Sequence, residues 1–176
     1  AKIESGYWLH KRLLEKSKIC IGVDIDEEAV NYIKTNFDIK DIYALDIIKD
    51  QVPSYLCREW DLMILGEVLE HIDNPVLFLQ NIHEKYQKYV KQFVVTVPNA
   101  FSFRNIVNVF KDTETINSDH RFWFSPYTLA KVATEAGFKI DSFGLGQLYM
   151  GDKWWKRKVL QRYPLLRENI IMQLNF

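Results

Sequence analysis

The segment GEVLEHIDNP (66–75) concentrates side chains able to move protons or hold a cation: Glu67, Glu70 and His71. If a helical turn starts after Gly66, Glu67 and Glu70 lie three apart on one face, with His71 four residues beyond Glu67. Two carboxylates and an imidazole could bind a divalent metal, or His71 could act alone as a general base near neutral pH. A second imidazole, His120 in SDHRFWFSP, could complete a metal shell or reach a substrate from a loop. Between Asp119 and Arg121 it is equally suited to surface hydrogen bonding. His71 and His120 are thus the candidate general bases, and no metal ligand is expected. Two further acids, Asp24 and Asp46, close short apolar runs. A carboxylate at a strand end can accept both hydroxyls of a ribose, and Asp24 is free for this because Asp26 takes the helix-capping position. Asp46, one strand later, either accepts from an adenine amino group or is a solvated turn acid.

These residues are positioned by segments whose hydrophobic period alternates along the chain. Residues 7–16 have helical spacing, and 18–25 (KICIGVDI) form a β-branched run. Asp26 then caps a helix that reaches Phe37, with Glu27 and Glu28 in its first turn, where the dipole favours negative charge. Strands are expected at 41–47, 60–68, 92–99, 138–145 and in 168–176. Asn74 with Pro75, and Ser125 with Pro126, open helices. Alternating strands and helices with wholly apolar strands indicate a parallel sheet covered on both faces, and the last two strands suggest an antiparallel terminal hairpin. Ligands in such folds lie beyond the carboxyl ends of the strands. That singles out Asp24, Asp46, the 66–71 segment and the 98–103 segment.

Composition narrows the partners. The 176 residues are 48% apolar, with eleven Phe, nine Tyr and five Trp, which excludes a disordered chain and fits a single domain over 1–176. Twenty-three basic and 23 acidic side chains cancel, so nucleic acid is not expected as a partner. Two unpatterned cysteines, no signal-peptide core and no run of ~20 apolar residues point to a cytoplasmic protein without a transmembrane segment. One stretch departs from this balance. Residues 153–167, within a basic aromatic insertion at 147–167, hold six Lys or Arg and no acid. It reads as a solvated helix face whose aromatic residues fold back on the sheet, although the same composition can grip single-stranded nucleic acid or lie on a membrane.

Taken in order, IGVDIDEEAV, ALDI, WDLMILGEVLEHIDNP, VVTVPN and HRFWFSPYTLAKVATEAGF resemble a class I S-adenosylmethionine-dependent methyltransferase over about residues 6–146. The branch with the EVLEHI segment, which includes quinone-biosynthesis O-methyltransferases and sugar- and natural-product-modifying relatives, is the nearest in pattern. The resemblance implies an α/β, Rossmann-like, doubly wound and mostly parallel seven-stranded sheet with an antiparallel terminal hairpin. It implies S-adenosylmethionine as cofactor, with Asp24 on its ribose, Ile25 packed on the adenine, Asp46 at the adenine amino group and the Ile47 amide at the ring. Gly66 and Glu67 would line the methionine end. The reaction implied is in-line displacement of the sulfonium methyl, governed by positioning, with His71 or His120 as base.

The departure is at the start of the chain. A strand and a glycine-rich turn should open such a domain, yet only Ser5 and Gly6 match the end of that turn, so an incomplete N-terminus is expected. The acceptor implied is a small molecule, a sugar or a lipid-linked intermediate. A metal-dependent RNA ribose 2′-O-methyltransferase, whose outline Glu67, Glu70, His71 and His120 fit, is the alternative. A nicotinamide-dependent oxidoreductase and a non-catalytic methyltransferase-like binding module complete the readings.

Overall fold

The computed structural model describes residues 8–147 and 153–176, so Ser5 and Gly6 lie outside the described residues. The chain divides into two compact units, Ala1–Val52 and Pro53–Phe176.

In the first unit, helix α1 (Leu9–Lys16) is followed by strand β1 (Gly22–Asp24), helix α2 (Glu27–Phe37) and strand β2 (Ile42–Ala44). β1 and β2 pair in parallel, Gly22 opposite Ile42 and Asp24 opposite Ala44. The Asp26 carboxylate accepts from the Ala29 N–H at 3.0 Å, so α2 starts where the capping signal places it. Val30, Ile33 and Ile42 form the buried core, flanked by Trp8 and Ile39. Both strands are far shorter than the apolar runs containing them, because only three residues of each find a partner strand.

A Cβ at Gly22 would lie 2.8 Å from His10 Cε1, so the His10 ring would have to shift. Gly22→Ala should therefore cost about 1–3 kcal/mol in urea unfolding, and His10→Ala in the same chain should recover most of it. Burial holds the His10 imidazole below the usual histidine range, outweighing the opposite pull of the nearby Asp41 carboxylate. The folded unit is then the poorer proton acceptor. Its stability should be level above the unfolded histidine pKa of about 6.5 and fall as pH drops below it. His10→Ala should flatten that slope in a pH series of thermal melts.

The second unit contains strand β3 (Trp60–Gly66), a 3-10 turn (Leu69–His71), helix α3 (Pro75–Tyr86), strand β4 (Val90–Pro98) and helix α4 (Phe103–Val109). Helix α5 (Pro126–Glu135), strand β5 (Lys139–Gly146), helix α6 (Trp154–Arg162) and strand β6 (Asn169–Asn175) follow. The strand order is β3-β4-β6-β5. β3 and β4 are parallel, and β6 runs antiparallel to both β4 and β5. Leu79, Ile82, Phe93, Val95, Val97, Leu129, Leu160, Ile170 and Leu174 form a fully buried core. Asn74 caps α3, with Pro75 at its first position. Ser125 and Thr128 form a reciprocal capping box at α5, and Gly137 (φ 95°) ends that region in the left-handed conformation that favours glycine.

The described residues thus form an α/β fold with six strands in a two-stranded parallel and a four-stranded mixed sheet, not one seven-stranded sheet. Among the described residues β1 and β2 pair with each other, and β3 pairs with β4 alone. Helix α4 lies inside the 100–124 segment that reads as a link. The expected folding-back of aromatic residues in 153–167 is also corrected. Leu160 packs inward and is fully buried, whereas Trp154, Trp155 and Tyr163 stay exposed. No described helix is long and apolar enough to cross a membrane.

Candidate active site

Beyond the carboxyl end of β3 the chain makes two abrupt moves. Gly66 still sits in register with Thr96 of β4, and the Glu67 N–H donates to the Thr96 carbonyl at 2.9 Å. Glu67 then adopts φ 56°, left-handed backbone in a residue that is not glycine, a conformation that costs energy and clusters at functional sites. Its carboxylate turns back across the sheet end, where Oε1 accepts from Thr96 Oγ1 and from Asn169 Nδ2 of β6, both at 3.0 Å. The shared helical face expected for Glu67 and Glu70 is therefore not formed. The left-handed step at Glu67 sends the two carboxylates to different partners.

Glu70 follows in the 3-10 turn and is buried. Its Oε1 lies 3.8 Å from His71 Nε2 and 4.0 Å from His120 Nε2. The two imidazoles meet edge to face, with centroids 4.7 Å apart. Although 49 positions separate them in sequence, backbone bonds join their segments. The N–H groups of Arg121 and Phe122 donate to the Glu70 carbonyl at 2.8 and 3.3 Å, and Phe124 bridges to Asn99 at the end of β4. Arg121 Nε donates to the His71 carbonyl at 3.2 Å and pairs with Asp73 at 2.7 Å, fastening the turn to the loop.

The histidine geometry sets a chemical orientation. His71 Nδ1 lies 3.1 Å from the Asp119 carbonyl, which can only accept, so Nδ1 carries the proton and donates. Nε2, the atom facing Glu70, is then the basic nitrogen. Holding one ring nitrogen on a backbone carbonyl while the other faces a carboxylate is also how metal-binding histidines are oriented. Glu70, His71 and His120 offer ligand atoms within 4.8 Å of one another. The 3.8 and 4.0 Å separations exceed hydrogen-bond range and suit two ligands sharing one cation with bonds of about 2.0–2.2 Å. Three protein donors leave coordination positions for acceptor oxygens.

Asn99 contributes in a way the sequence did not signal beyond its place after Pro98. Buried at the end of β4, it donates through Nδ2 to the carbonyls of Leu165 and Arg167 at 2.7 and 2.8 Å and accepts from the Phe101 N–H at 3.0 Å. It fastens the loop after β4 to the segment before β6. Asn99→Leu would remove three part-buried hydrogen bonds to backbone groups and is expected to cost about 1–3 kcal/mol in chemical denaturation.

In the first unit, Asp24 is exposed at the end of β1, and its Oδ1 accepts from the Asp26 N–H at 3.0 Å. Ile25 beside it is 71% exposed, unusual for an isoleucine directly after a strand. Asp46 Oδ1 accepts from the Ile48 and Lys49 N–H groups, each at 3.0 Å, while the Asp46 N–H donates to Asp50. These bonds, led by that from Lys49, hold its carboxyl below the usual carboxylate range despite some burial. Ile47 lies in that turn and is partly buried.

The family described as "Methyltransferase domain" matches residues 5–142. The chain belongs to this methyltransferase family. Solved structures share the fold of this methyltransferase at low identity. Small RNA methyltransferase HEN1 superposes with a TM-score of 0.63 at 18% identity, over 94% of this chain and 22% of that one. A SAM-dependent methyltransferase from Archaeoglobus fulgidus gives 0.58 at 19% identity, over 94% of this chain and 80% of that one. Magnesium protoporphyrin IX methyltransferase from Synechocystis PCC 6803, solved with bound SAH, gives 0.58 at 12%, over 95% and 68%. The chain therefore spans about a fifth of the HEN1 chain. No curated protein sequence matches it.

Proposed function

We propose that this methyltransferase transfers the methyl group of S-adenosylmethionine, in the cytoplasm, to a hydroxyl of a sugar carried by a small molecule, a glycan or a lipid. The cofactor is supported by the family and by its structural neighbours. The hydroxyl acceptor rests on the Glu70–His71–His120 cluster, whose basic His71 Nε2 is held by the Asp119 carbonyl. Asp24 holds the cofactor ribose through the carboxylate oxygen that Asp26 leaves over, and exposed Ile25 packs on the adenine. The family resemblance assigns Asp46 and the Ile47 amide to the adenine edge, and Gly66 and Glu67 to the methionine end. Gly6, outside the described residues, is a cofactor contact on the resemblance alone. Thr96 and Asn169 fix the Glu67 carboxylate so that it presents a set orientation rather than a mobile charge.

Methyl transfer by in-line displacement releases a proton when the nucleophile is a hydroxyl. His71, with His120 beside it, takes that proton, and Glu70 favours the imidazolium that forms. The donor set also fits a divalent cation, with Glu70, His71 and His120 holding it. When bound, such an ion would polarise acceptor hydroxyls and lower their pKa. Incubation with radiolabelled S-adenosylmethionine and a panel of sugars, nucleotide-sugars and lipid-linked sugars tests this reading. Label in an alkali-stable ether supports it; label only on nitrogen or carbon acceptors would overturn it.

The second reading is methylation of a terminal RNA ribose, which also offers adjacent hydroxyls and is favoured by the basic stretch 153–167. Glu67 counts against the four-residue metal outline on which that reading draws, because its carboxylate bonds to Thr96 and Asn169. A 3′-terminal ribose compared with a periodate-oxidised end, in the same assay, separates the two.

A further inference from the structure

We infer that the outward face of α6 docks on an anionic membrane surface. This rests on observations separate from the acceptor chemistry. Helix α6 is anchored on its inner side by the fully buried Leu160. Arg167 adds two bonds, donating to the carbonyls of Leu160 at 3.2 Å and Leu145 at 3.0 Å. With about 100° between successive residues, the arc opposite Leu160 carries Trp154, Trp155, Lys158, Gln161 and Arg162. All five are exposed, and Trp154 is 68% accessible.

The charge on this element opposes that of the rest of the chain. Residues 153–167 hold six basic and no acidic side chains in a protein with equal totals, so the remaining sequence carries six more acids than bases. A negatively charged surface therefore attracts this helix, while the net charge of the remaining sequence opposes binding elsewhere. Apolar and aromatic residues flank the cations at both ends, Trp154 and Trp155 at the start, Tyr163 and the exposed Leu165 after the end. Lys158 lies 5.2 Å from the Trp154 ring, Arg162 5.3 Å from Tyr163 and Lys153 5.9 Å from Trp155. Cation and indole side by side match the headgroup boundary, where indole rings settle and Lys and Arg meet phosphate.

Single-stranded RNA fits the same face less well. Stacking successive bases needs rings in line along one groove. Here Trp154 and Trp155 point about 100° apart and Tyr163 about 180° from Trp154. A planar array of anionic headgroups imposes no such requirement.

Flotation with vesicles of phosphatidylcholine, alone or mixed with phosphatidylglycerol, tests the inference. Binding is expected only to the mixed vesicles and should weaken steeply as salt is raised. Each Lys or Arg near an anionic surface raises partitioning about fivefold, so Lys158→Gln and Arg162→Gln together should lower it about 25-fold. Trp154→Ala should lower it severalfold while keeping the salt dependence. Thermal melts of both variants show whether α6 remains folded, and the salt series on the unaltered chain does not depend on them. Equal binding to neutral vesicles, no binding to either, or salt-sensitive binding of oligouridylate without vesicle binding would each overturn the proposal.

Discussion

Glu70→Gln is expected to lower methyl transfer by about 100- to 10,000-fold, the range a positioned base or a metal-polarised oxygen contributes. Glu70 is buried, and its Oε1 is the atom both His71 Nε2 and His120 Nε2 approach. The amide keeps size and shape but removes the charge that favours an imidazolium and the anionic oxygen that would hold a cation. The backbone carbonyl that accepts from Arg121 and Phe122 is unaltered, so the loop carrying His120 should remain docked. Thermal unfolding should thus move little while the rate collapses, and cofactor affinity should stay within a few-fold. His71→Ala should behave similarly, with cofactor binding retained. A Glu70→Gln chain with full activity would make the cluster a structural brace rather than a chemical one.

The second large effect is on cofactor binding. Asp24→Ala should weaken S-adenosylhomocysteine by about 100-fold or more, since hydrogen bonds to a charged group contribute about 1.5–3 kcal/mol each and a ribose offers two hydroxyls. Asp24 also accepts from the Asp26 N–H, so alanine could act by loosening the turn before α2. Asp24→Asn separates these effects. Asparagine retains an acceptor for that N–H and lacks the charge, and it should still weaken binding about tenfold or more. Normal binding by Asp24→Asn alongside weak binding by Asp24→Ala would assign the residue to the turn and not to the ribose.

Local signals located the elements well. Asn74 and Pro75 open α3, Ser125 and Pro126 open α5, and Asp26 caps α2, because caps and N-terminal prolines act within one helical turn. Helix α4 was missed although Ser102 caps it, since seven residues among aromatic and polar neighbours carry too little period. The Glu67 backbone was not legible either. The neighbouring Gly66 draws attention as the flexible position, yet the left-handed residue is the glutamate.

The meeting of His71 with His120 depends on long-range contacts that no spacing rule encodes. It follows from Arg121 and Phe122 bonding to the Glu70 carbonyl and from Phe124 bridging to Asn99. Both histidines could be named from residue type, but their arrangement around one carboxylate could not. In α6 the limit was different. The pattern marks an amphipathic helix, and Trp and Leu are equally apolar on that measure, so it did not tell that Leu160 would be buried and Trp154 exposed.

Binding of the methyltransferase family's cofactor underlies every role assigned to this chain, and calorimetric titration with S-adenosylhomocysteine measures it most directly. Saturable heat at one site per chain, with a matching rise in thermal midpoint and its loss in Asp24→Ala, is the predicted result. No heat and no thermal shift at millimolar ligand would contradict it.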